Sequence, residues 1–427
     1  MKDTQYRHVP VVIVGGGQAG LSVAYQLEQK GIQSIVFERH EKFHSWKKNR
    51  WDSFCLVTPN WQCRLPDFHY GREYGGTDPD GFMLKDEIAS FLDAFAARFD
   101  PDIREHVEVS RITPLAEGGF EVQTSIGDWT CDQVVIATGG YDTPIEPDYA
   151  KNLSPEILQM HSVDYRNVDQ FPDGGVLIVG TGQSGVQLME DFVRAGRQVH
   201  LAVGPAPRSP RKYRGRDAID WLYDAGHYEI TIDRHPDPLK ALTQTNHYMS
   251  GRDGGKEIDL RRFHIEHGVQ LYGSLSNMDE TRISFLPDLA KNLDDADRSY
   301  LGIRTQIDDY IAREGIDTPV EPDFEKVWAP EQEITEIDLA EVGVTSVLWA
   351  IGFRPDYSWI EADVFDARGK PKFHRGVTEQ PGLHFIGLGW LNTWGSGRFL
   401  AIEEDSLYLA EQIERQLSAS TVASAAE

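Results

Sequence analysis

The chain has 427 residues, a length that predicts two domains rather than a single hydrophobic core. Acidic residues outnumber basic ones by 68 to 42, and the net charge of −26 argues against nucleic acid or an anionic membrane as a partner. The opening segment MKDTQYRHVP lacks the apolar core of a secretory signal, and no apolar run could span a bilayer. With only three cysteines and no C-x-x-C pair, the composition predicts a cytoplasmic protein.

The first predicted elements form a strand, a glycine-rich turn and a helix. The buried strand VPVVIVG precedes Gly15-x-Gly17-x-x-Gly20, and apolar residues then recur at helical spacing. Glycine at these positions permits a tight turn, close approach of the backbone to a pyrophosphate, and close packing of helix on strand. A second strand, SIVFE, ends at Glu38, whose carboxylate can accept hydrogen bonds from both hydroxyls of an adenosine ribose. Together these features predict a dinucleotide site.

Two predicted strands end in similar turns, Ala137-Thr138-Gly139 and Ala350-Ile351-Gly352. Each strand is expected to be the last of a dinucleotide-binding unit and to turn beneath the bound ligand. Near the end of the chain, residues 381–413 predict a strand, a loop and a long helix. The loop places Gly395-Ser396-Gly397 near the expected start of that helix, where the positive end of the helix dipole could face an anionic group.

The first unit recurs at an offset of 165 residues, the difference between Gly180 and Gly15. VLIVGTGQSG (176–185) repeats VVIVGGGQAG (11–20), but Val203 stands at the position equivalent to Glu38. Arginines and a lysine then follow within GPAPRSPRKYRGR (204–216). Such a cluster after the second strand is typical of a site for a ribose 2′-phosphate, with a solvated loop as the alternative. We therefore expect the two units to bind different dinucleotides.

Apolar residues in the segment 286–314 recur every three or four positions, which predicts one helix or two helices broken near Gly302. Pro287 suits a first helical turn and Gly315 suits a C-terminal stop. The apolar face could cover an active site or form a subunit contact, although packing against the rest of the chain explains it equally simply.

The order of these motifs resembles that of the class B flavin-dependent monooxygenases, which include flavin-containing, N-hydroxylating, Baeyer–Villiger and YUCCA-type enzymes. The resemblance extends over almost the whole chain and includes SWKKNRWDSFCLVTPN (45–60) and GSGRFL (395–400). It implies an α/β fold of two nested Rossmann-like dinucleotide-binding domains. Residues 1–167 and 346–427 would form the FAD domain, and residues 168–345 the NADPH domain, with a helical insert at about 217–335.

The resemblance also implies a set of cofactor-binding residues in each domain. The residues expected to bind FAD are Gly15, Gly17, Gln18, Ala19, Gly20, Glu38, Trp46, Thr58, Val109, Ala137, Thr138, Gly139, Gly387 and Gly397. The residues expected to bind NADPH are Gly180, Gly182, Gln183, Ser184, Gly185, Arg208, Arg211 and Lys212. Asn60 resembles the asparagine held near the reactive edge of the flavin and is the expected catalytic residue. Arg398 and Trp394 lie in a loop expected to pass near the flavin, in contact with either substrate or cofactor.

The implied activity is NADPH-dependent reduction of FAD, reaction with O2 to a flavin C4a-(hydro)peroxide, and transfer of one oxygen atom to an amine, a sulfide or a carbonyl. The expected partners are a small-molecule substrate and O2, with no nucleic acid and no membrane. Formation of a homodimer is left open. The implied class also explains why the sequence offers no protein nucleophile or acid–base pair, because the cofactor carries the chemistry.

Two other functions remain open at this stage. A flavin disulfide reductase would need a redox dithiol, for which Cys55 and Cys63 would have to approach each other in space. A nucleotide sensor without catalysis would bind the cofactors and signal through the acidic helical insert. His264 and His267 are three residues apart on a possible helix, but no cysteine or carboxylate of zinc-site spacing lies nearby, so no metal is expected.

Overall fold

A computed structural model describes residues 7–243 and 245–426. The strands of the described chain are β1 (Arg7–Val14), β2 (Ser34–Glu38), β3 (Arg64–Leu65), β4 (Phe68–His69), β5 (Ile103–Glu105), β6 (Val109–Pro114), β7 (Phe120–Thr124), β8 (Gly127–Ile136), β9 (Thr143–Pro144), β10 (Leu158–His161), β11 (Gly175–Val179), β12 (Val199–Ala202), β13 (Lys212–Tyr213), β14 (Arg216–Asp217), β15 (Gln270–Tyr272), β16 (Leu275–Asp279), β17 (Arg282–Phe285), β18 (Glu336–Asp338), β19 (Val344–Trp349), β20 (Phe353–Arg354) and β21 (Leu383–Phe385). The α-helices are α1 (Gln18–Gln29), α2 (His44–Lys47), α3 (Lys85–Ala96), α4 (Gln183–Arg194), α5 (Ala218–Asp224), α6 (Pro238–Thr243), α7 (Leu260–His267), α8 (Leu289–Glu314) and α9 (Ile402–Ala426).

The first sheet combines strands from both ends of the chain. Its order is β5-β2-β1-β8-β7-β6, and β21 pairs with β8. The strands β5, β2, β1, β8 and β21 are parallel, whereas β7 and β6 form an antiparallel edge. The long strand β8 reaches both neighbours because its first half pairs with β7 and its residues 134–136 pair with β21. The chain therefore returns to its first sheet after building a second one.

Strand β1 is buried on both faces, as its uninterrupted apolar run predicts. Val11 and Ile13 belong to a core with residues of α1, α3 and α9, while Val12 and Val14 belong to the opposite core with residues of β7, β8 and 357–364. Successive side chains of a strand point to opposite faces, so an apolar run of this kind requires an apolar layer on each side.

The second sheet has the order β10-β19-β11-β12-β15 and is parallel throughout. Its strands lie within residues 158–349, between the strands of the first sheet, which is the nested order that the sequence predicts. The two connections between the sheets run side by side, because β9 and β20 pair through Pro144 and Phe353.

The predicted helix within 286–314 is continuous. It runs from Leu289 to Glu314 without a break at Gly302, and Gly315 ends it with a φ of +64°. Pro287 lies outside the helix, because Asp288 already occupies the N-cap position, and this corrects the expectation that Pro287 belongs to the first turn. The N-terminal half of the helix packs on the second sheet, and Ile303 and Ile307 join a core with α5.

The C-terminal helix α9 begins at Ile402, so Gly395-Ser396-Gly397 lies in the preceding turn and not at the helix start. This corrects the expectation of a helix dipole at these glycines. The hydroxyl of Ser396 accepts hydrogen bonds from the amides of Asn392 and Thr393, at 3.0 and 3.1 Å, and thereby closes the turn. Among residues 7–243 and 245–426, no helix has the length and apolar character needed to cross a bilayer.

Candidate functional site

The first glycine turn joins β1 to α1. Gly15 has a φ of +112°, and a Cβ on it would lie 2.5 Å from the carbonyl oxygen of Ala137. A Cβ on Gly20 would lie 2.0 Å from the carbonyl oxygen of Gly15, whereas a Cβ on Gly17 would meet no atom within 4 Å. Two glycines therefore close the turn, and the third leaves open space at the N-terminus of α1, where amides and helix dipole favour an anion.

The second glycine turn has the same geometry. Gly180 has a φ of +104°, and a Cβ on it would lie 2.7 Å from the carbonyl oxygen of Ala350. A Cβ on Gly185 would lie 1.9 Å from the carbonyl oxygen of Gly180, and a Cβ on Gly182 would again meet no atom within 4 Å. Ala137 and Ala350, which directly follow β8 and β19, therefore support the two turns in equivalent ways.

The two units differ at the end of the second strand. The Glu38 carboxylate accepts hydrogen bonds from the amides of Gly16 and His40, at 2.7 and 2.8 Å, which fixes it beside the first turn. Val203 is buried, with 2% of its surface exposed, and its amide donates to the carbonyl oxygen of Tyr272. An anchored acid in the first unit thus corresponds to a buried apolar side chain in the second.

Two glutamines expected to bind cofactor hold neighbouring segments against the turns. Trp46 Nε1 donates to Gln18 Oε1, and the Trp46 ring stacks on Phe399 with 5.3 Å between ring centroids. In the second unit, Gln183 donates to the Met249 carbonyl oxygen at 2.7 Å and accepts from its amide at 3.2 Å. The segment 45–60 and the segment around Met249 are therefore fixed next to the first and second turns.

The C-terminal loop lies against the first turn of α1. A Cβ on Gly387 would lie 2.8 Å from the Cβ of Ala19, and a Cβ on Gly397 would lie 2.9 Å from the carbonyl carbon of Leu388. The structure thus brings Ala19, Gly387 and Gly397 together. Of the other residues expected to contact cofactor, Thr138 is exposed, and Thr58, Gly139 and Ser184 are partly exposed.

Val109 does not lie beside the acid of the first unit. It opens β6 opposite Thr124, whereas the amide of Val107 donates to the carbonyl oxygen of Glu38 at 2.9 Å. The residue next to Glu38 is therefore Val107, and the contact of Val109 with FAD stays a prediction. The alternating segment HVEVS offered two valines, and only the pairing of β2 with β5 selects between them.

The Asn60 side chain is buried and holds the segment 78–83. Its Nδ2 donates to the carbonyl oxygen of Asp78 at 2.9 Å, and its Oδ1 accepts from the amide of Met83 at 2.7 Å. With 3% of its surface exposed, Asn60 acts here as a support of the chain. Its catalytic role stays a prediction that these contacts do not favour.

The basic cluster after β12 is largely paired with acids of the insert. Arg208 lies 2.9 Å from Asp297, and Arg211 Nε lies 2.8 Å from Asp217, with 2% and 1% of their respective surfaces exposed. Arg208 and Arg211 are predicted to contact a 2′-phosphate, but neither side chain has an exposed donor for it, because both guanidinium groups face buried carboxylates. The Lys212 side chain is 57% exposed and lies 3.8 Å from Asp217, so it remains accessible.

Two partly exposed arginines, Arg50 and Arg398, have no acidic partner among the described residues. Arg50 lies over the rings of Trp46 and Phe54, at 5.1 and 5.3 Å, and its buried Nε has no hydrogen-bond partner. Arg398 lies over Trp394 at 4.2 Å. Burial lowers the pKa of both guanidinium groups. Sequence analysis missed Arg50, although an arginine between aromatic residues in the segment 45–60 was a recognisable feature.

The comparisons with known proteins agree with this geometry. The pyridine nucleotide-disulphide oxidoreductase family model matches residues 12–220. The CzcO-like oxidoreductase of Geobacillus kaustophilus is 30% identical over 407 residues, which cover 95% of this chain and 98% of that protein. The chain belongs to the CzcO-like oxidoreductases.

More distant likenesses include proteins named as monooxygenases. The probable indole-3-pyruvate monooxygenase YUCCA4 of Arabidopsis thaliana is 29% identical over 197 residues, 45% of this chain and 46% of that protein. The solved flavin-containing monooxygenase of Stenotrophomonas maltophilia has the same fold, with a TM-score of 0.65 at 18% identity, and the match covers 96% of this chain and 99% of that one. The predicted fold class, two nested Rossmann-like units, is confirmed.

The cysteines of this CzcO-like chain are free and buried. Burial raises the pKa of Cys55 to about 11 and raises that of Cys63 further. A redox dithiol requires an accessible thiolate, so neither cysteine suits disulfide reduction. No pair of these cysteines forms the dithiol that the reductase interpretation needs.

The residues of both glycine turns fit dinucleotides. The open space at Gly17 and Gly182, the anchored acid at Glu38 and the unpartnered Nε of Arg50 match groups that bind phosphate and ribose. Among the described residues, no group of histidine, cysteine and carboxylate side chains could hold a metal ion. His264 contacts the Val269 carbonyl oxygen at 2.8 Å and the Trp328 ring.

Proposed function

We propose that this CzcO-like oxidoreductase is an FAD-dependent, NADPH-consuming monooxygenase that inserts one oxygen atom from O2 into a small organic substrate. The observation that carries the proposal is the duplicated glycine turn, with an anchored acid in the first copy and none in the second. Two dinucleotide sites with different ribose contacts suit an enzyme that uses two different dinucleotides. The likeness to proteins named as monooxygenases supports the oxygenation step.

The first unit, residues 1–167 and 346–427, would hold FAD. Open backbone at Gly17 and the N-terminus of α1 would bind the pyrophosphate, and Glu38 would accept hydrogen bonds from the ribose. Arg50 would supply positive charge near the phosphates, since its guanidinium has no acid of its own. FAD, when bound, supplies the hydride-accepting and oxygen-activating chemistry, while the chain binds and orients it.

The second unit, residues 168–345, would bind NADPH at the turn from Gly180 to Gly185. Val203 offers no carboxylate to bind a free 2′-hydroxyl or to repel a 2′-phosphate, which favours NADPH over NADH. Because Arg208 and Arg211 are buried in ion pairs, the exposed Lys212 is the member of the cluster best placed to bind that phosphate.

The insert would cover the substrate site and exclude water from it. Tyr228 of the insert packs on Trp394 of the C-terminal loop, with 4.7 Å between ring centroids, and both adjoin the core formed with Leu400. An apolar cover of this kind protects a reactive cofactor from solvent. An amine, a sulfide or a carbonyl compound remains the expected substrate.

Three measurements on purified protein test the proposal together. The protein should be yellow and release FAD, not FMN, on denaturation. NADPH should bleach the flavin without oxygen, and faster than NADH does. In air, NADPH oxidation should yield one oxygenated product per cofactor consumed, with an oxygen atom from labelled O2. A colourless folded protein, equal rates with both nucleotides, or consumption of O2 without an oxygenated product for any amine, sulfide or carbonyl compound would contradict the corresponding part of the proposal.

A further inference from the structure

The arginines of this chain that are wholly or partly buried include two contrasting cases. Arg208, Arg211 and Arg261 are each 2% exposed or less, and each forms an ion pair with an aspartate. Arg398 forms no ion pair with any described residue, although acids greatly outnumber bases in the sequence. Arg398 is only partly exposed, so its guanidinium offers an anionic ligand a positive charge that is partly withdrawn from water and that no acid of the described chain occupies.

The protein contacts of Arg398 leave part of its guanidinium free. Nη1 donates to the carbonyl oxygen of Trp394, and Nη2 donates to Asn246 Oδ1 at 2.5 Å. Nε has no partner among the described residues. The plane of the group rests on the Trp394 ring, 4.2 Å from its centroid. These contacts fix the orientation of the fork and leave Nε–H and a second Nη2–H, the pair of donors that matches a carboxylate.

Arg398 also adjoins the first dinucleotide site. Its neighbour Phe399 stacks on Trp46, and its other neighbour Gly397 packs against the backbone of Leu388. Trp46 in turn is bound to Gln18 in the first turn of α1. On its other side, Arg398 contacts Asn246 of the insert, so it lies between the first dinucleotide unit and the insert.

We propose that Arg398 binds the carboxylate of the substrate and that the enzyme therefore acts on organic acids. The inference rests on the proposed monooxygenase function, which it narrows from small organic molecules to anionic ones. A phosphate of a cofactor is the other possible source of negative charge. The glycine turns already offer phosphate sites at Gly17 and Gly182, and Asn246 and Trp394 place Arg398 on the side of the insert.

Binding of matched acids and amides to the FAD-loaded protein tests the inference without turnover. The probes are phenylacetate, hexanoate and 2-oxobutyrate, each paired with its neutral amide, and the readout is the change in flavin absorbance and tryptophan fluorescence. Wild type should bind at least one acid roughly 10- to 100-fold more tightly than its amide, the range for a charge-assisted hydrogen bond. Arg398→Gln should bind that acid no better than the amide, and Arg398→Lys should recover part of the difference.

The controls distinguish binding of a substrate carboxylate by Arg398 from an effect on net charge, folding or NADPH binding. Arg368→Gln changes the net charge equally at an exposed turn and should leave acid binding unchanged. FAD content and the melting temperature of Arg398→Gln establish that it folds, and its NADPH affinity, measured by anaerobic bleaching, should equal that of wild type. The inference is overturned if no acid binds wild type better than its amide, if Arg398→Gln retains the preference, or if only NADPH binding is weakened. A protein that binds acids through Arg398 but forms no oxygenated product would refute the monooxygenase function alone.

Discussion

Among single residues, Glu38 has the most direct predicted effect on cofactor binding. Its carboxylate is fixed by two backbone amides and, in the proposed function, would accept hydrogen bonds from the FAD ribose. Glu38→Gln replaces one acceptor oxygen by a donor, so we expect the FAD dissociation constant to rise roughly tenfold, about 1.4 kcal/mol. Titration of the deflavinated protein with FAD measures this change. Glu41→Gln is the control, and equal affinity in Glu38→Gln and wild type would show that the acid does not contact the ribose.

Arg208 is predicted to stabilise the fold without selecting the nucleotide. Its guanidinium pairs with Asp259 and Asp297, and all three side chains are nearly inaccessible. Arg208→Met leaves buried carboxylates without this partner, so we expect a loss of about 3 kcal/mol or more in the free energy of unfolding. Urea denaturation measures it, with the more exposed Arg216→Met as the control. The ratio of the catalytic efficiency with NADPH to that with NADH should not change. A selective loss of efficiency with NADPH would show instead that Arg208 binds the 2′-phosphate.

The two strand–turn–helix elements have the same shape but, in the proposed function, bind different ligands, and one pair of substitutions tests this. Gly17 and Gly182 have φ values of −80° and −62°, which any residue adopts, and a Cβ on either meets no protein atom within 4 Å. Alanine there should leave the fold stable but intrude on the pyrophosphate. Gly17→Ala should lose FAD, whereas Gly182→Ala should keep FAD and bind NADPH more weakly. The measurements are the FAD content and the dependence of flavin bleaching on NADPH concentration. Loss of FAD in both variants would contradict separate sites for the two dinucleotides.

Helix α8 offers a second test at this scale. Gly302 lies exposed in the middle of the helix with no atom within 4 Å of its would-be Cβ, so Gly302→Ala should stabilise the protein by about 0.5–1 kcal/mol. Gly315 has a φ of +64° at the end of the same helix, and Gly315→Ala should destabilise by a similar amount. Thermal unfolding compares the two. A destabilising Gly302→Ala would mean that the helix bends there in solution.

For the whole molecule, buried histidines predict a loss of stability in mild acid. Burial lowers the pKa of His200 to about 4 and that of His384 to about 3. In the unfolded chain a histidine takes up a proton as the pH falls below about 6.5, whereas these folded histidines stay neutral until a lower pH. Proton uptake therefore favours the unfolded state, so the free energy of unfolding is greatest above about pH 6.5 and falls as the pH drops towards 4. His200 alone would account for about 3 kcal/mol. Urea midpoints between pH 7.5 and 4.5 measure the slope, which His200→Asn should flatten; an equal slope in the variant would contradict the assignment.

Much of this architecture follows from local sequence. Three glycines at fixed spacing, an apolar strand before them and a helix after them determine both turns, because only glycine tolerates the left-handed φ and the close backbone contacts at Gly15 and Gly20. The nested order of the two sheets also followed from the repeat at positions 11–20 and 176–185. These features depend on residues that are neighbours along the chain or repeat within it.

The roles of the charged residues depended on long-range contacts that the sequence does not encode locally. The cluster from Arg208 to Arg216 had the composition of a phosphate site, yet Asp217, Asp259 and Asp297 neutralise its two buried arginines. Nothing local in the sequence indicates that Arg50 and Arg398 lack acidic partners, and only packing left them without acids. Sequence therefore determined where the two glycine turns form, because turn geometry is local. The tertiary structure decided which cations remain free for a ligand, because pairing brings together residues as far apart as positions 208 and 297.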